Sequence, residues 1–238
     1  MKAVILTGGK GSRLAPYTGV LPKPLMPLGD MPVLEVIIRQ LKRAGVSDII
    51  LAAGHLAYLL RAFFEDGERF GVRIRYSIES EPLGTAGPLA VVPNLQDTFI
   101  TMNGDVLTTL DYTGLVKFHK QQQALATIAM HQRNVRIDYG VIHCDGRYRV
   151  VDYVEKPDHQ YSVSMGIYIF EPRVLEYIEP DRYLDFPDLI RILLDNNEPV
   201  VAYPYRGYWL DIGRPDDYER AAREFEKMRS AFLGLGEE

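Results

Sequence analysis

The residues best suited to chemistry lie at the start of the chain, where Leu6-Thr7-Gly8-Gly9-Lys10-Gly11-Ser12-Arg13 follows the apolar run Val4-Ile5-Leu6. Gly8, Gly9 and Gly11 carry no Cβ, so a ligand can approach the backbone N–H groups closely. Such N–H groups hold anions, and Lys10 and Arg13 add formal charge, the arginine with a planar fork that fits two phosphate oxygens. Together they describe a polyphosphate cradle. Two familiar phosphate loops are excluded. The P-loop needs Gly-Lys-Ser/Thr opening a helix, whereas Gly11 follows Lys10; the dinucleotide fingerprint needs a third small residue where Leu14 stands. Pro16, Pro22, Pro24 and Pro27 then forbid a continuous helix from Tyr17 to Pro27, and Pro24 is expected to hold Lys23 extended on a stiff loop.

Carboxylates form a second set. Thr98–Asp105 reads as a strand ending in Asn103-Gly104-Asp105, and a carboxylate just past a buried strand needs a partner, of which a cation is one. Alone, Asp105 reads better as a turn or capping acid. It is matched by Asp211, which lies in the apolar run Tyr208-Trp209-Leu210-Asp211-Ile212-Gly213. A third candidate is Ile78–Leu89, which places Glu79, Glu81, Gly84 and Thr85 at a strand end, with a short helix expected over 85–91. A fourth is Glu155-Lys156-Pro157. Pro157 should end its strand and leave Glu155 and Lys156 at the end on alternate faces; in isolation they are an ordinary surface ion pair.

The elements that position these residues alternate. Leu34, Ile37, Ile38 and Leu41 have amphipathic helical spacing, stopped at Gly45. A buried strand is expected at 48–53, a helix at 56–70 with Leu59, Leu60, Phe63 and Phe64 inward, and a strand at 72–78. Repeated βαβ units imply a parallel sheet with helices on both faces and ligands at the carboxyl ends of its strands. Beyond residue 123 the pattern changes to short strands at 124–130, 139–143, 147–155 and 164–170, with Asp145-Gly146 as a hairpin turn. Helices are expected at 185–196 and 214–228, the second closing the chain ahead of a frayed tail.

Composition narrows the function. The 238 residues are 47% hydrophobic and 25% charged, enough for one substantial core. A net charge of −5 argues against a nucleic-acid surface. The single cysteine, Cys144, rules out an internal disulfide, and its apolar neighbours suggest a buried thiol. No signal peptide or membrane span is visible, which favours a cytoplasmic protein.

Gly-Gly-x-Gly-x-Arg-Leu from Gly8 to Leu14, Pro22-Lys23-Pro24, and Pro32 with Glu35 opening a helix together resemble the signature of the sugar-phosphate nucleotidylyltransferases. These enzymes make nucleotide sugars from a nucleoside triphosphate and a sugar 1-phosphate. The resemblance covers roughly residues 1–220, and it is strongest to the mannose-1-phosphate guanylyltransferase branch, without the hexapeptide-repeat β-helix that many relatives add. It implies a three-layer, Rossmann-like α/β fold with a mixed, mainly parallel sheet and helices on both faces. One domain would span 1–238, with a nucleotide half at about 1–123 and a sugar-phosphate half at about 124–230.

By the same resemblance, Leu6, Gly8, Gly9, Gly11, Ser12, Arg13, Lys23, Glu79, Gly84, Thr85, Asn103 and Gly104 contact the nucleotide. Tyr139, Gly140, Glu155, Lys156, Gly166 and Trp209 contact the sugar phosphate. Asp105 and Asp211 bind Mg²⁺, and these two with Arg13 and Lys23 are the catalytic set. The implied partners are a nucleoside triphosphate and a sugar 1-phosphate, with no nucleic acid or membrane; a homo-oligomer is compatible with the sequence. Relatives that use uracil or thymine place Gln at the position of Glu79. A carboxylate there can accept two parallel hydrogen bonds from guanine, which makes GTP the expected nucleotide and mannose 1-phosphate or a related sugar the expected acceptor. The alternatives are a dTTP- or UTP-dependent glucose-1-phosphate enzyme, a non-catalytic nucleotide-sugar-binding subunit, and a cytidylyl- or uridylyltransferase acting on a non-sugar alcohol phosphate.

Overall fold

The computed structural model describes residues 1–9, 11–79 and 81–234. The chain begins with β1 (Lys2–Leu6), passes three short 3₁₀ turns and the small hairpin β2 (Pro27–Leu28) and β3 (Met31–Pro32), and enters α1 (Val33–Arg43). β4 (Asp48–Ala53), α2 (Ala57–Phe64), β5 (Arg73–Ile78), β6 (Phe99–Asn103), β7 (Val106–Thr108) and α3 (Tyr112–Gln122) follow. Next come β8 (Ala126–Arg136), β9 (Gly140–Cys144), β10 (Val150–Glu155) and β11 (Asp158–Phe170). The remaining elements are α4 (Phe186–Asp195), β12 (Val200–Tyr205), β13 (Trp209–Asp211), α5 (Pro215–Lys227) and α6 (Arg229–Leu233).

A seven-stranded sheet has the order β12-β8-β11-β6-β1-β4-β5. Its pairings are parallel except those of β11, which runs antiparallel to both β6 and β8. Side chains alternate between two cores, as period-two strands require when both faces are covered. Ala3, Ile5, Ile49, Leu51, Ile100 and Met102 face the core built with α1, α3, α5 and α6. Val4, Ile50, Ala52, Phe99 and Phe170 face the core built with α4 and the 3₁₀ segments 87–91 and 172–177. The mixed, mainly parallel, three-layer architecture is therefore the expected one. β1 neighbours β4 on one side and β6 on the other, so the chain reverses its direction of sheet growth beside β1. Ligands of such sheets bind at this switch point.

Several local expectations need correction. The helix expected over 56–70 stops at Phe64, because Glu65 and Gly67 take positive φ, and only a 3₁₀ turn follows at 68–70. Phe63 is not inward; its ring lies on the surface beneath the Arg69 guanidinium, 4.7 Å away. The segment 85–91 is a 3₁₀ helix over Gly87–Val91, with Pro88 in its first turn. Cys144 is exposed, not buried, because the β9–β10 hairpin projects from the core. The hairpin is real, but Asp145-Gly146 is not a two-residue turn. A longer loop runs to Arg149, with Asp145 Oδ1 accepting from the N–H groups of Arg147 and Arg149, and the positive φ falls on Tyr148.

At the C-terminus α5 does not close the chain. α6 follows and buries Phe232 completely, stacked on Phe225 and edge-on to Tyr208. Of the expected frayed tail, Leu233 is thus helical, while 235–238 lie outside the described residues.

Candidate active site

β1 delivers the glycine loop to the switch point, and β6 delivers Asp105 beside it. Gly104 N–H donates to Leu6 O at 2.9 Å. A Cβ on Gly104 would lie 2.9 Å from Leu6 O and 3.0 Å from Thr7 Cγ2, so only glycine lets the two strand ends meet this closely. Leu6, Gly9, Gly11, Ser12, Arg13, Lys23, Gly104 and Asp105 consequently share one cavity of about 270 Å³. Lys10 lies outside the described residues.

Lys23 is placed differently from expectation. It opens a 3₁₀ turn, Lys23–Leu25, while Pro22 is the extended residue. Pro24 is tolerated because a proline in the first turn of a helix forfeits no hydrogen bond, and the turn closes through Leu25 N–H to Pro22 O and Met26 N–H to Lys23 O. The consequence for Lys23 is a stiff backbone all the same. Its ammonium pairs with Asp105 Oδ2, both side chains being largely buried.

Asp211 arrives from the far end of the sequence. β13 pairs antiparallel with β7, setting Asp211 opposite Val106, and Ile212 N–H donates to Asp105 O at 3.0 Å. Asp105, in the turn before β7, and Asp211, the last residue of β13, are thus brought side by side. Asp211 keeps solvent access from one side, yet crowding by protein atoms, then repulsion from Asp105, push its pKa above the ordinary value against the pull of Lys23 and Arg13. Asp105 Oδ1 is buried with no hydrogen-bond partner among the described residues. An orphaned carboxylate oxygen beside a second, repelled carboxylate is a donor set suited to a hard cation. No group of three or more His, Cys, Asp or Glu side chains that could hold a metal is found among the described residues, so substrate oxygens or water would have to complete any shell.

The remaining expected residues fall into five places. Glu79 is half-buried with Oε2 accepting from Leu83 N–H at 3.1 Å, and Oε1 lies 3.7 Å from where a Gly8 Cβ would be, so this carboxylate borders the glycine loop. Burial raises its pKa, opposed by the Leu83 hydrogen bond. Glu81 is exposed. Gly84 and Thr85 are clamped against the start of α4 instead of lying open. Thr85 N–H and Oγ1–H both donate to Asp185 Oδ1, at 2.9 and 3.1 Å, and Thr85 Oγ1 accepts from Phe186 N–H at 2.8 Å. The threonine therefore caps α4 across 100 residues, which its own neighbours give no sign of.

Gly166, at φ +70°, is pressed against Asn103, since a Cβ there would sit 2.6 Å from Asn103 Nδ2. Trp209 is anchored by its indole N–H on Met165 O at 3.1 Å, and with Arg13 and Asp211 it lines a second cavity of about 400 Å³. Tyr139, Gly140, Glu155 and Lys156 are not gathered into either cavity. They occupy the exposed hairpin, where Gly140 packs against the Tyr153 hydroxyl, Tyr153 Oη–H donates to Glu155 Oε2 at 3.0 Å, and Lys156 Nζ stands 3.9 Å from Glu155 Oε1. Glu155 and Lys156 do not point to alternate faces, because Lys156 has left the strand with φ +45°. Sequence reasoning missed Arg133, Arg214 and Arg220, which line the second cavity; only Arg214, next to the Asp211-Ile212-Gly213 motif, carried a sequence signal.

Residues 2–228 match the nucleotidyl transferase family. The chain belongs to that family. Among curated members it is 37% identical to a UTP–glucose-1-phosphate uridylyltransferase of Synechocystis, over 94% of this chain and 63% of that one. It is 36% identical to the mannose-1-phosphate guanyltransferase of Schizosaccharomyces pombe, over 92% and 62%. This nucleotidyl transferase chain thus spans under two thirds of the length of those relatives. A solved structure of a putative glucose-1-phosphate thymidylyltransferase from Bacillus anthracis superposes with a TM-score of 0.76 at 26% identity, covering 94% of each chain. No helix among the described residues is long and apolar enough to cross a membrane.

Proposed function

We propose that this chain transfers a nucleotidyl group from a nucleoside triphosphate, with GTP preferred, to a sugar 1-phosphate, with mannose 1-phosphate or a related sugar as acceptor, releasing pyrophosphate. The observation that carries the reading is the convergence of Arg13, Lys23, Asp105 and Asp211, from four separate segments, beside an open glycine loop. Two polyanions must meet in such a reaction, so positioning and neutralisation are the main needs. The loop N–H groups and Arg13 take the β- and γ-phosphates, and Lys23 takes the α-phosphate. Asp105 and Asp211 would hold Mg²⁺, which when bound neutralises phosphate charge through oxygen ligation. Glu155, Lys156 and Tyr139 on the hairpin, with Gly140, Gly166 and Trp209, are assigned to the acceptor. The acceptor phosphate is already ionised near neutral pH, so no general base is required.

Glu79 is assigned to the base. Its closeness to Gly8 supports that role over the exposed Glu81; among the described residues no donor reaches its Oε1, and Oε2 retains a second lone pair beyond its bond to Leu83. Uracil and thymine present one donor between two carbonyls, which a carboxylate repels. The runner-up is uridylyl or thymidylyl transfer to glucose 1-phosphate, favoured by the names of two of the three relatives above. A non-catalytic role is disfavoured by the presence of all four catalytic candidates.

Pyrophosphate release measured over five nucleotides and a set of sugar 1-phosphates tests the reading. GTP should lead, with discrimination of about 1–3 kcal/mol from a bidentate pair, and Glu79→Gln should erode that preference. A wild-type preference for UTP or dTTP, or an unaltered GTP preference in the variant, refutes the guanine assignment. Absence of turnover with every pair refutes the enzyme.

A further inference from the structure

Arg13, Arg133, Arg214 and Arg220 line one cavity of about 400 Å³ between the outer half of β8, the end of β13 and the start of α5. Among the described residues, none of the four makes an ion pair or a side-chain hydrogen bond. Other arginines of the chain are satisfied internally, as Arg75 is by Asp48 and Arg173 by Glu198. Two carboxylates, Asp211 and Asp217, share the wall, so the formal balance still favours the cations. Gly213 lets the charges converge: its Cβ would lie 3.4 Å from Asp211 Oδ2, 3.7 Å from Asp217 Oδ2 and 3.9 Å from Arg13 Cζ. Guanidinium groups gathered around an open space, without partners, are a site for an anion that accepts several forked hydrogen bonds.

Position identifies the anion. The cavity shares Arg13 with the glycine-loop cavity, and the function proposed above puts Arg13 on the β- and γ-phosphates. In an in-line displacement the acceptor enters opposite the leaving group. The space that shares Arg13 therefore adjoins the leaving group, and of its lining residues only Trp209 is assigned to the acceptor. We propose that Arg133, Arg214 and Arg220 form, with Arg13, a subsite for inorganic pyrophosphate, which rests on that reading of the reaction. As the acceptor oxygen bonds to the α-phosphorus, the bond from that phosphorus to the bridging oxygen breaks. Its electron pair leaves with pyrophosphate, whose added charge the arginines meet. In the reverse direction the same subsite captures pyrophosphate for attack on the nucleotide sugar.

Arg214 suits a test, because it is exposed and makes no side-chain cap bond at the start of α5, so its removal costs no helix cap. In the reverse reaction, run with wild type, Arg214→Ala and Arg220→Ala, the KM for pyrophosphate should rise about tenfold per arginine, the scale of one lost charge-assisted fork. The KM for the nucleotide sugar should move less than about twofold, and Arg214→Lys should recover part of the loss. Calorimetry of pyrophosphate binding to the full chain, without other substrates, should show the same weakening, with thermal unfolding unchanged. An unaltered pyrophosphate KM and affinity in both alanine variants of an active enzyme overturns the subsite, as does a rise confined to the sugar 1-phosphate KM in the forward direction. If wild type turns over nothing, the proposed reaction fails on its own. Pyrophosphate calorimetry then still decides the subsite, supporting it if affinity drops in Arg214→Ala and overturning it if affinity stays.

Discussion

At the end of β1, the candidate groups are held by the fold. Asp105 follows a glycine pressed against Leu6, Lys23 sits on a 3₁₀ turn between prolines and pairs with Asp105, and Asp211 is delivered by a strand paired to β7. On the β9–β10 hairpin the opposite holds. Tyr139 is 79% exposed, every residue of β10 is exposed, and among the described residues the side chains of Glu155 and Lys156 find only each other and Tyr153. The phosphate side is thus preorganised by packing, whereas the sugar-assigned residues of the hairpin are fixed by little beyond their own ribbon. Electrostatic catalysis needs fixed charges, because reorganisation during reaction forfeits most of their value; recognition of a sugar tolerates an arm that settles on its ligand.

If that contrast is right, the largest losses come from the preorganised side. Asp105→Asn and Asp211→Asn should each lower turnover a hundredfold or more, the scale of losing a preorganised electrostatic contact, with circular dichroism scarcely altered. Near-normal turnover in purified Asp211→Asn would remove the two-carboxylate site. Lys23→Ala should reduce the chemical step far more than nucleotide affinity, since its charge matters most as the α-phosphate becomes crowded, and Lys23→Arg should restore only part. Calorimetry showing equal losses in rate and affinity would make Lys23 a binding residue.

Gly104→Ala probes the packing itself. With Leu6 O in the way, it should cost about 1–3 kcal/mol in urea unfolding and displace Asp105, lowering turnover as well. An unperturbed, fully active Gly104→Ala protein would mean the strand ends are looser than they look. On the ribbon, Lys156→Ala should raise the KM for sugar 1-phosphate about tenfold, while thermal unfolding stays where it was, because nothing buried is lost. A drop in stability there would contradict the free-arm description.

The smallest expected effect lies at the opposite end of the sheet, far from the site. His119 is buried, with Nδ1 2.7 Å from Thr127 Oγ1 and Nε2 3.1 Å from Glu171 Oε1. Burial holds its pKa below the ordinary value, outweighing the hydrogen bond to Glu171 that raises it. A group with a depressed folded pKa takes up protons more readily when unfolded. Its stabilisation is therefore full above the unfolded value of about 6.5 and is lost as pH falls below it. Urea unfolding followed from pH 7.5 to 5 should show this loss, and His119→Gln should flatten it; parallel curves would assign the acid sensitivity elsewhere.

Much of this protein was legible in its sequence, and the reason is local. The βαβ alternation, β4 at its observed boundaries, the glycine loop and the proline-flanked Lys23 rest on apolar periodicity and on backbone limits that act over a few residues. The pairing of Asp105 with Asp211 was legible only through resemblance, because their 106-residue separation carries no local signal. What tertiary structure alone decided lies between distant segments. Thr85 caps α4, Gly166 abuts Asn103, Phe232 enters the core from beyond the 214–228 helix that was expected to close the chain, and Cys144 faces solvent because its strand pairs with another exposed strand. The arginine cavity is of this kind as well. Arg133 and Arg220 read as ordinary surface charges, and only the fold, by gathering the loop after β1, the outer half of β8, the end of β13 and the start of α5, makes them a common wall with Arg13 and Arg214.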